Sequence, residues 1–221
     1  CLAGTQVADE RGRGPTPQEV VVSNQNPSDI GFWDLLREDF VAHKNDWGRL
    51  GYRALVVHRF GNWRMGVTNP VLRAPLSMLY RALFRHCRAS YGIEIPYSVK
   101  LGRRVAIEHH SGIILNGGVV MGDDVVLRQN TTIGVRSADD IEANPVIGSG
   151  VEIGAGAVIL GGLTIGNGAT IVTNAVVLTD IPAGALAVGV PARVVDRSSE
   201  SNGSAQLGST EHEGPHDIGR G

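Results

Sequence analysis

The spacing of hydrophobic residues changes along the chain and divides it into four stretches. Residues 1–30 and 197–221 mix Gly, Pro, Ser and charged residues without a sustained period, so we predict disordered tails there. Over residues 31–92 apolar positions recur every three or four residues, which predicts an α-helical segment. Over residues 93–196 they recur every six residues, and this stretch is the main predicted domain.

The helical segment is predicted to contain three helices. The first begins near Phe32, with Ser28 or Asp29 as its cap, and the second spans Leu50 to Met65. The third helix follows Pro70.

The third helix contains Pro75, which we expect to kink the helix or to reset its start because proline lacks a backbone N–H. Cys87 lies in the same helical pattern and is predicted to be a buried free thiol. Cys1 is the only other cysteine, so we expect no disulfide framework.

The strongest signal is an aliphatic residue at every sixth position, because a fixed internal period determines the whole architecture. The series slips by two residues between Ile113 and Met121, and it is interrupted between Ile133 and Ile147. Its members are Ile95, Leu101, Ile107, Ile113, Met121, Leu127, Ile133, Ile147, Ile153, Ile159, Ile165, Ile171 and Val177. Small or β-branched residues lie four positions after most of them, at Val99, Val105, Ser111, Val125, Thr131, Val151, Ala157, Leu163, Ala169 and Ala175.

A coil of short parallel strands explains this spacing. Each inward aliphatic side chain stacks on its equivalent in the next coil, and Gly, Asn or Asp permits the turns between strands. A helix is excluded because a six-residue spacing does not keep to one helical face, and because many glycines interrupt the pattern. The polar segment that interrupts the period, residues 134–146, is predicted to project as a loop.

Composition and charge narrow the function. The 221 residues include 30 Gly and only 5% aromatic residues, as expected for repetitive β structure with tight corners, and the formal net charge of −2 gives no global field that would favour nucleic acid. No run approaches the roughly 18 apolar residues of a membrane-spanning helix, and no signal peptide is visible. We therefore expect a cytoplasmic protein without an integral membrane segment.

The repeats resemble the hexapeptide acyltransferases, and the runs KLGRRVAIEHHSGI, GAGAVILGGLTIGNGATI and AVGVPARVV resemble the serine acetyltransferase family. The resemblance covers residues 93–195 and reaches weakly into the helices. It implies a mainly β fold, a left-handed parallel β-helix of hexapeptide repeats preceded by a short α-helical segment. It also implies an O-acetyltransferase that uses acetyl-CoA as co-substrate, L-serine as acceptor and no metal, and that works as a homotrimer or a doubled hexamer.

Removing the proton of an attacking hydroxyl requires a base, and neutral imidazole suits this task at pH 7. The β stretch holds only His109 and His110, which on residue type alone also fit an exposed turn. The resemblance aligns His109 with the catalytic base and Glu94 with the carboxylate that orients it. It implies that Glu108 and Asp46 bind the acceptor, and we expect His110 to line the pocket.

The resemblance weakens at the acceptor site. An Arg–His pair that helps to hold serine in the family is replaced by Ala143 and Asn144, and we keep Asn144 as a candidate acceptor contact. Loss of the guanidinium removes a bidentate partner for a carboxylate, and Arg136 or Arg104 are candidate replacements. The acceptor is therefore either L-serine or a sugar hydroxyl in polysaccharide biosynthesis.

Acetyl-CoA binding requires backbone N–H groups and small residues along the pantetheine arm. The resemblance implies six contacts: Gly134, Gly154, Ala155, Thr170, Thr173 and Arg193. Glycine and alanine at corners are also required by the fold itself.

Two further functions fit the same architecture less well. A zinc hydratase would need about three histidine ligands around an open metal position, whereas the β stretch has two adjacent histidines. A non-catalytic β-helix scaffold would keep the repeats and lack acetyl-CoA binding.

Overall fold

The computed structural model describes residues 30–195. Apart from residue 30, the predicted tails lie outside this range, and so do Ser28 and Asp29. Three helices come first: α1 (Phe32–Ala42), α2 (Leu50–Trp63) and α3 (Pro70–His86). A 3₁₀ turn (Arg64–Gly66) follows α2, and a π-helical turn (Cys87–Tyr91) follows α3. None of the helices between residues 30 and 195 combines the length and the hydropathy needed to cross a bilayer.

Helix α3 does not restart at Pro75. Asn69 caps the helix, because its side-chain oxygen accepts a hydrogen bond of 2.9 Å from the Val71 N–H, and Pro70 follows at the first turn, where its missing N–H costs nothing. The helix then continues through Pro75 to its end at His86. Cys87 is a buried free thiol, as predicted, and burial raises its pKa to about 11.

Fifteen short strands follow between residues 93 and 195. In chain order they are β1 (Ile93–Glu94), β2 (Lys100–Leu101), β3 (Ala106–Ile107), β4 (Ile113–Leu115), β5 (Val120–Met121), β6 (Val126–Leu127), β7 (Thr132–Gly134), β8 (Val146–Ile147), β9 (Glu152–Ile153), β10 (Val158–Leu160), β11 (Thr164–Ile165), β12 (Thr170–Ile171), β13 (Val176–Val177), β14 (Leu186–Val188) and β15 (Arg193–Val195).

From β1 to β14 consecutive strands belong to different sheets, so the chain winds as a three-sided coil. Sheet 1 has the order β1-β4-β7-β10-β13, sheet 2 has β2-β5-β8-β11, and sheet 3 has β3-β6-β9-β12-β14-β15. The paired strands are parallel except β15, which pairs antiparallel with β14 at the end of the coil. The predicted coil of parallel strands is confirmed.

The core is a set of aliphatic stacks inside this coil. Strand pairing in sheet 2 puts Leu101, Met121, Ile147 and Ile165 in one column, and all four side chains are fully buried. Burying one such side chain contributes about 1.5–3 kcal/mol, so the repeated period is the main source of stability.

The position of the two-residue slip differs from the prediction. Leu115, and not Ile113, pairs with Ile133 in sheet 1, so eight positions separate Ile107 from Leu115 where six separate Leu127 from Ile133. The two additional residues therefore lie in the turn of residues 108–112. Ser111, a member of the small-residue series in the sequence, is exposed in this turn.

Buried polar side chains of α1 and α2 satisfy the free edge of the first coil. Arg59 donates hydrogen bonds to the Leu101 carbonyl at 2.9 Å and to the Gly102 carbonyl at 2.6 Å, and its Nε donates to Asp39 at 2.9 Å. Both Arg59 and Asp39 are almost completely buried. A guanidinium at such depth is tolerated because its charge is paired and its N–H groups have acceptors.

Two buried histidines complete the same edge. His58 Nε2 donates to the Val99 carbonyl at 3.0 Å, and His43 Nε2 accepts from the Ile107 N–H at 3.0 Å. The first coil would otherwise end in unpaired backbone groups, each costing about 1–3 kcal/mol when buried.

The buried His58 makes stability dependent on pH. Burial lowers the pKa of His58 from 6.5 to about 3, so the folded chain keeps it neutral while the unfolded chain takes up a proton below pH 6.5. The free energy of unfolding must therefore fall as the pH decreases from 6.5 toward 3, by about 2 kcal/mol from this residue between pH 7.5 and 5. Urea unfolding at these two pH values measures this decrease in the free energy of unfolding.

The control is His58→Gln, whose amide still donates to Val99 but does not titrate. Between pH 7.5 and 5 its free energy of unfolding should therefore decrease by about 2 kcal/mol less than that of the unaltered protein. Equal losses in both proteins would refute the assignment.

Candidate active site

The predicted site residues of the β-helix fall mainly on two of its edges. We call the turns from sheet 3 to sheet 1 the histidine edge, which comprises residues 108–112, 128–131, 154–157 and 172–175. We call the turns from sheet 1 to sheet 2 the loop edge, which comprises residues 96–99, 116–119, 135–145 and 161–163. The two edges are separated by the width of sheet 1.

The enlarged turn of residues 108–112 carries both histidines of the β-helix. His109, His110 and Ser111 are exposed, and the turn closes through Ser111 at φ +91° and Gly112 at φ +66°. Within residues 30–195 the His109 ring makes no hydrogen bond or ion pair, so both ring nitrogens are open to a substrate. No three His, Cys, Asp or Glu side chains in this part of the chain are grouped as a metal site requires.

Glu94 lies on sheet 1 beside the same turn. It is opposite Ile114 in the strand ladder, and its carboxylate is 3.2 Å from Arg88 Nε. A surface cavity of about 600 Å³ adjoins it. The cavity is lined by Arg85, Arg88, Ala89, Gly92, Glu94, Gly112 and Ile114. Glu94 therefore borders the turn of His109, but its ion pair in this structure is with Arg88.

Glu108 pairs with an arginine that sequence reasoning missed. Arg128 Nε donates to the Glu108 carboxylate at 2.8 Å, and Arg128 Nη2 lies 4.0 Å from Glu152. Glu108 and Arg128 are stacked because the Glu108 N–H donates to the Leu127 carbonyl of the next coil. Ile107 and Leu127, which precede these two residues, are three repeats and the two-residue slip apart, so the sequence period already placed Arg128 above Glu108.

The loop between α1 and α2 is held against the first residue of this turn. His43, at one end of the loop, accepts the Ile107 N–H, and at the other end a Cβ on Gly51 would lie only 2.5 Å from Ile107 Cβ. Asp46 lies between these two contacts, and its Oδ1 accepts a hydrogen bond of 2.7 Å from the Gly48 N–H. Asp46 is thus exposed on a loop whose two ends contact Ile107.

Three predicted cofactor contacts share the histidine edge. Backbone hydrogen bonds link its turns coil by coil, from Asn130 N–H to Ser111, from Gly156 N–H to Gln129, and from Asn174 N–H to Ala155, all at 2.8–2.9 Å. Successive coils are about 4.8 Å apart, so Ala155 and Thr173 lie roughly 10 and 14 Å along the edge from the His109 turn.

The turns of the later coils along the histidine edge carry small side chains. Gly154 is buried, and a Cβ on it would lie 2.5 Å from the Thr173 backbone nitrogen, so this glycine is required by the close packing of successive coils. Ala155, with only a methyl group, is half-buried and Thr173 is exposed, so these two predicted contacts lie at the surface of the edge.

The other predicted contacts lie elsewhere on the chain. Thr170 is in β12 of sheet 3, and Arg193 is exposed in β15, opposite Val188. Gly134 ends β7 of sheet 1, directly before the loop edge, and Asn144 lies on that edge, where its Nδ2 donates to the Ile141 carbonyl at 3.0 Å. One copy of the chain does not bring Gly134 and Asn144 together with His109.

The cations considered as replacements for the missing arginine also differ in position. Arg104 is held by Asp124 through two hydrogen bonds of 2.6 Å, on the remaining edge of the coil. Arg136 is exposed on the loop edge next to Gly161. Arg85 lines the cavity beside Glu94 and forms no ion pair within residues 30–195. Arg85, which the sequence did not indicate, therefore shares a cavity with Glu94 and with Gly112 of the histidine turn.

Comparisons with known proteins identify chains with a similar sequence motif and a similar fold. Residues 144–179 match the family model described as bacterial transferase hexapeptide (six repeats). The structure is similar to soybean serine acetyltransferase without ligand (30% identity, 76% of this chain and 70% of that chain, TM-score 0.65). It is also similar to the same soybean enzyme complexed with serine (29% identity, 76% and 71%, TM-score 0.65). A third similar structure is serine acetyltransferase from Brucella abortus strain S19 in complex with coenzyme A (25% identity, 74% and 67%, TM-score 0.64). No curated protein sequence matches the chain significantly. Together with the strand order, these similarities confirm the left-handed parallel β-helix.

The close approach of α2 to Ile107 predicts a large effect of one methyl group. In Gly51→Ala the new Cβ would lie 2.5 Å from Ile107 Cβ and 2.6 Å from its carbonyl oxygen, so helix and turn must separate. We expect a loss of about 1–3 kcal/mol in the free energy of unfolding, although alanine is favoured over glycine in a helix by about 1 kcal/mol. Gly66→Ala is the control, because nothing lies within 4 Å of its added Cβ. Thermal unfolding of both variants tests this, and equal midpoints would contradict the close contact.

Proposed function

The chain belongs to the serine acetyltransferase family of hexapeptide-repeat transferases, and from this premise we propose that it is an acetyl-CoA-dependent serine O-acetyltransferase. The observation that carries the proposal is the exposed imidazole of His109 on an enlarged turn, at the head of an edge lined by small residues.

His109 is the general base. One of its ring nitrogens accepts the hydroxyl proton of the acceptor while the hydroxyl oxygen bonds to the thioester carbonyl carbon. When the carbon–sulfur bond breaks, the imidazolium returns this proton to the departing thiolate of CoA. No proton is gained or lost over the cycle, so the base is regenerated at each turnover.

Glu94 is the proposed orienting carboxylate for His109. Both border the same turn, and a carboxylate near the ring stabilises the imidazolium that forms during transfer. Because Glu94 is paired with Arg88 in the free chain, this role requires that it exchange the guanidinium for the imidazole when the acceptor binds.

Acetyl-CoA is proposed to lie along the histidine edge. The support is the position of Ala155 and Thr173 at the surface of this edge, where Ala155 adds only a methyl group and the buried Gly154 holds the turn against the next coil. Thr170 in β12 and Arg193 in the edge strand β15, both of sheet 3, are assigned to the far end of the same ligand.

A homotrimer is the proposed assembly. Gly134 and Asn144 are candidates for the same site as His109, yet Asn144 lies on the loop edge and Gly134 directly before it. In a ring of three copies, the loop edge of one chain can lie against the histidine edge of the next. This arrangement would bring Gly134 and Asn144 of one chain close to His109 of its neighbour, and head-to-tail contacts of this kind close into rings.

Serine carries a carboxylate and an ammonium group at pH 7. Arg85, in the cavity beside Glu94, is the proposed partner of the carboxylate in place of the arginine that Ala143 replaces. The carboxylates of Glu108 and Asp46 are assigned to the ammonium group.

The base is tested by His109→Gln, which keeps a polar side chain of similar size but cannot accept and return a proton. We expect the turnover number to fall by about 10²–10⁴-fold while CoA binding and circular dichroism are unchanged. CoA thiol release measures turnover, and His86→Gln on the exposed end of α3 is the matched control. Undiminished turnover in His109→Gln would overturn the mechanism.

The acceptor is tested by CoA release with L-serine and with a panel of sugars and glycan fragments. We expect activity with serine, and an increase of roughly tenfold or more in the KM for serine in Arg85→Gln, because a charge-assisted hydrogen bond is lost. Activity confined to uncharged sugars, with Arg85→Gln behaving as the unaltered protein, would assign the enzyme to polysaccharide acetylation instead.

A further inference from the structure

The loop between α1 and α2 makes a direct bond to the base of the histidine turn, and the proposed reaction does not account for it. His43 is 1% exposed, and its Nε2 lies 3.0 Å from the Ile107 backbone nitrogen. A backbone N–H can only donate, so Nε2 must be the acceptor. Nδ1 then carries the proton and donates to the Asp39 carbonyl at 2.7 Å.

The surroundings keep His43 in this neutral form. Burial lowers its pKa, so it stays uncharged at neutral pH. The charged and titratable groups facing it are Asp39, Arg49 and Tyr52, whose ring centre is 5.7 Å from the imidazole. The charge of Asp39 is balanced by its ion pair with Arg59. The ring is thus fixed in one tautomer and one orientation.

The backbone at Ile107 is held from two sides. The N–H is bonded to His43, and the α2 backbone at Gly51 lies directly against the side chain and the carbonyl oxygen of Ile107. The next two residues, Glu108 and His109, begin a turn that is two residues longer than its equivalent in the next coil. The next coil holds this turn through the Glu108 N–H to Leu127 and the Asn130 N–H to Ser111, and on the side of the helices its anchor is Ile107. The position of His109 therefore depends on where Ile107 is anchored.

We propose that His43 is a positioning residue that fixes the base of the enlarged turn and thereby places His109 and Glu108 for acetyl transfer. The inference rests on the proposed function, since it concerns the same turn. It extends the catalytic unit to a helix residue 66 positions before the base, which contacts no reacting atom.

Two variants of His43 distinguish the role of Nε2 from that of Nδ1. In His43→Gln the side-chain oxygen takes the place of Nε2 and can still accept the Ile107 N–H. In His43→Asn the shorter side chain reaches only the place of Nδ1, and Ile107 loses its acceptor. His58→Asn is the control, because it removes an equally buried imidazole bond to the coil backbone, at Val99, on the far side of the first coil from the histidine turn.

For His43→Asn we expect a turnover number about 10- to 100-fold lower, with the KM for acetyl-CoA changed by less than about threefold, because misplacement by about 1 Å costs this much. The Ile107 amide should exchange hydrogen faster. His43→Gln should retain most of the turnover, and His58→Asn should lose stability but keep turnover within about twofold of the unaltered protein. Equal turnover in His43→Asn and His58→Asn, or an equal fall in His43→Gln and His43→Asn, would overturn the inference.

Failure of the proposed function looks different. If His109→Gln keeps full turnover, the base has been misassigned, whatever the His43 variants do. If His109→Gln is inactive and His43→Asn turns over normally, the base stands and the positioning role is refuted.

Discussion

The free edge of the first coil is the constraint on which the rest of the structure depends. A β-helix pairs its backbone groups coil by coil, so the first coil presents carbonyl and N–H groups that have no strand below them. Arg59, His58 and His43 supply the missing partners from α1 and α2, and Asp39 compensates the charge of Arg59. Since an unpaired buried backbone group costs about 1–3 kcal/mol, the helices are required by the β-helix and do not fold as a separate body.

The same contacts connect stability to chemistry. Regular six-residue turns bury their small residues and present little to solvent, so a catalytic group needs a turn that departs from the repeat. The turn of residues 108–112 is such a departure, with two additional residues and two consecutive positive φ angles at its end. This turn exposes the His109 imidazole, whose position would vary on an unrestrained loop. The bond from His43 to Ile107 restricts the start of the turn.

Arginines set the electrostatics around this turn. Glu108 is held by Arg128 and Glu94 by Arg88, so the two carboxylates expected to take part in catalysis are partly neutralised in the free chain. These pairs are half exposed and contribute little to stability. Their consequence is functional: an ammonium group or an imidazolium that reaches the site competes with a guanidinium for the carboxylate, whereas Arg85 stays open to an anion.

The sequence by itself determined the architecture, because a six-residue period repeated over ten or more positions has one physical solution in which every aliphatic residue is buried. It also indicated His109, since imidazole is rare in the coil and the surrounding motif is specific. It misplaced the slip, because Ile113 and Leu115 are both buried and only strand pairing decides which one continues the column. The ion pair of Glu94 with Arg88 and the bond from His43 to Ile107 depended on tertiary structure. Each joins the coil to the helical segment, over 6 and 64 positions respectively, and no local pattern encodes which residue of that segment lies against which coil.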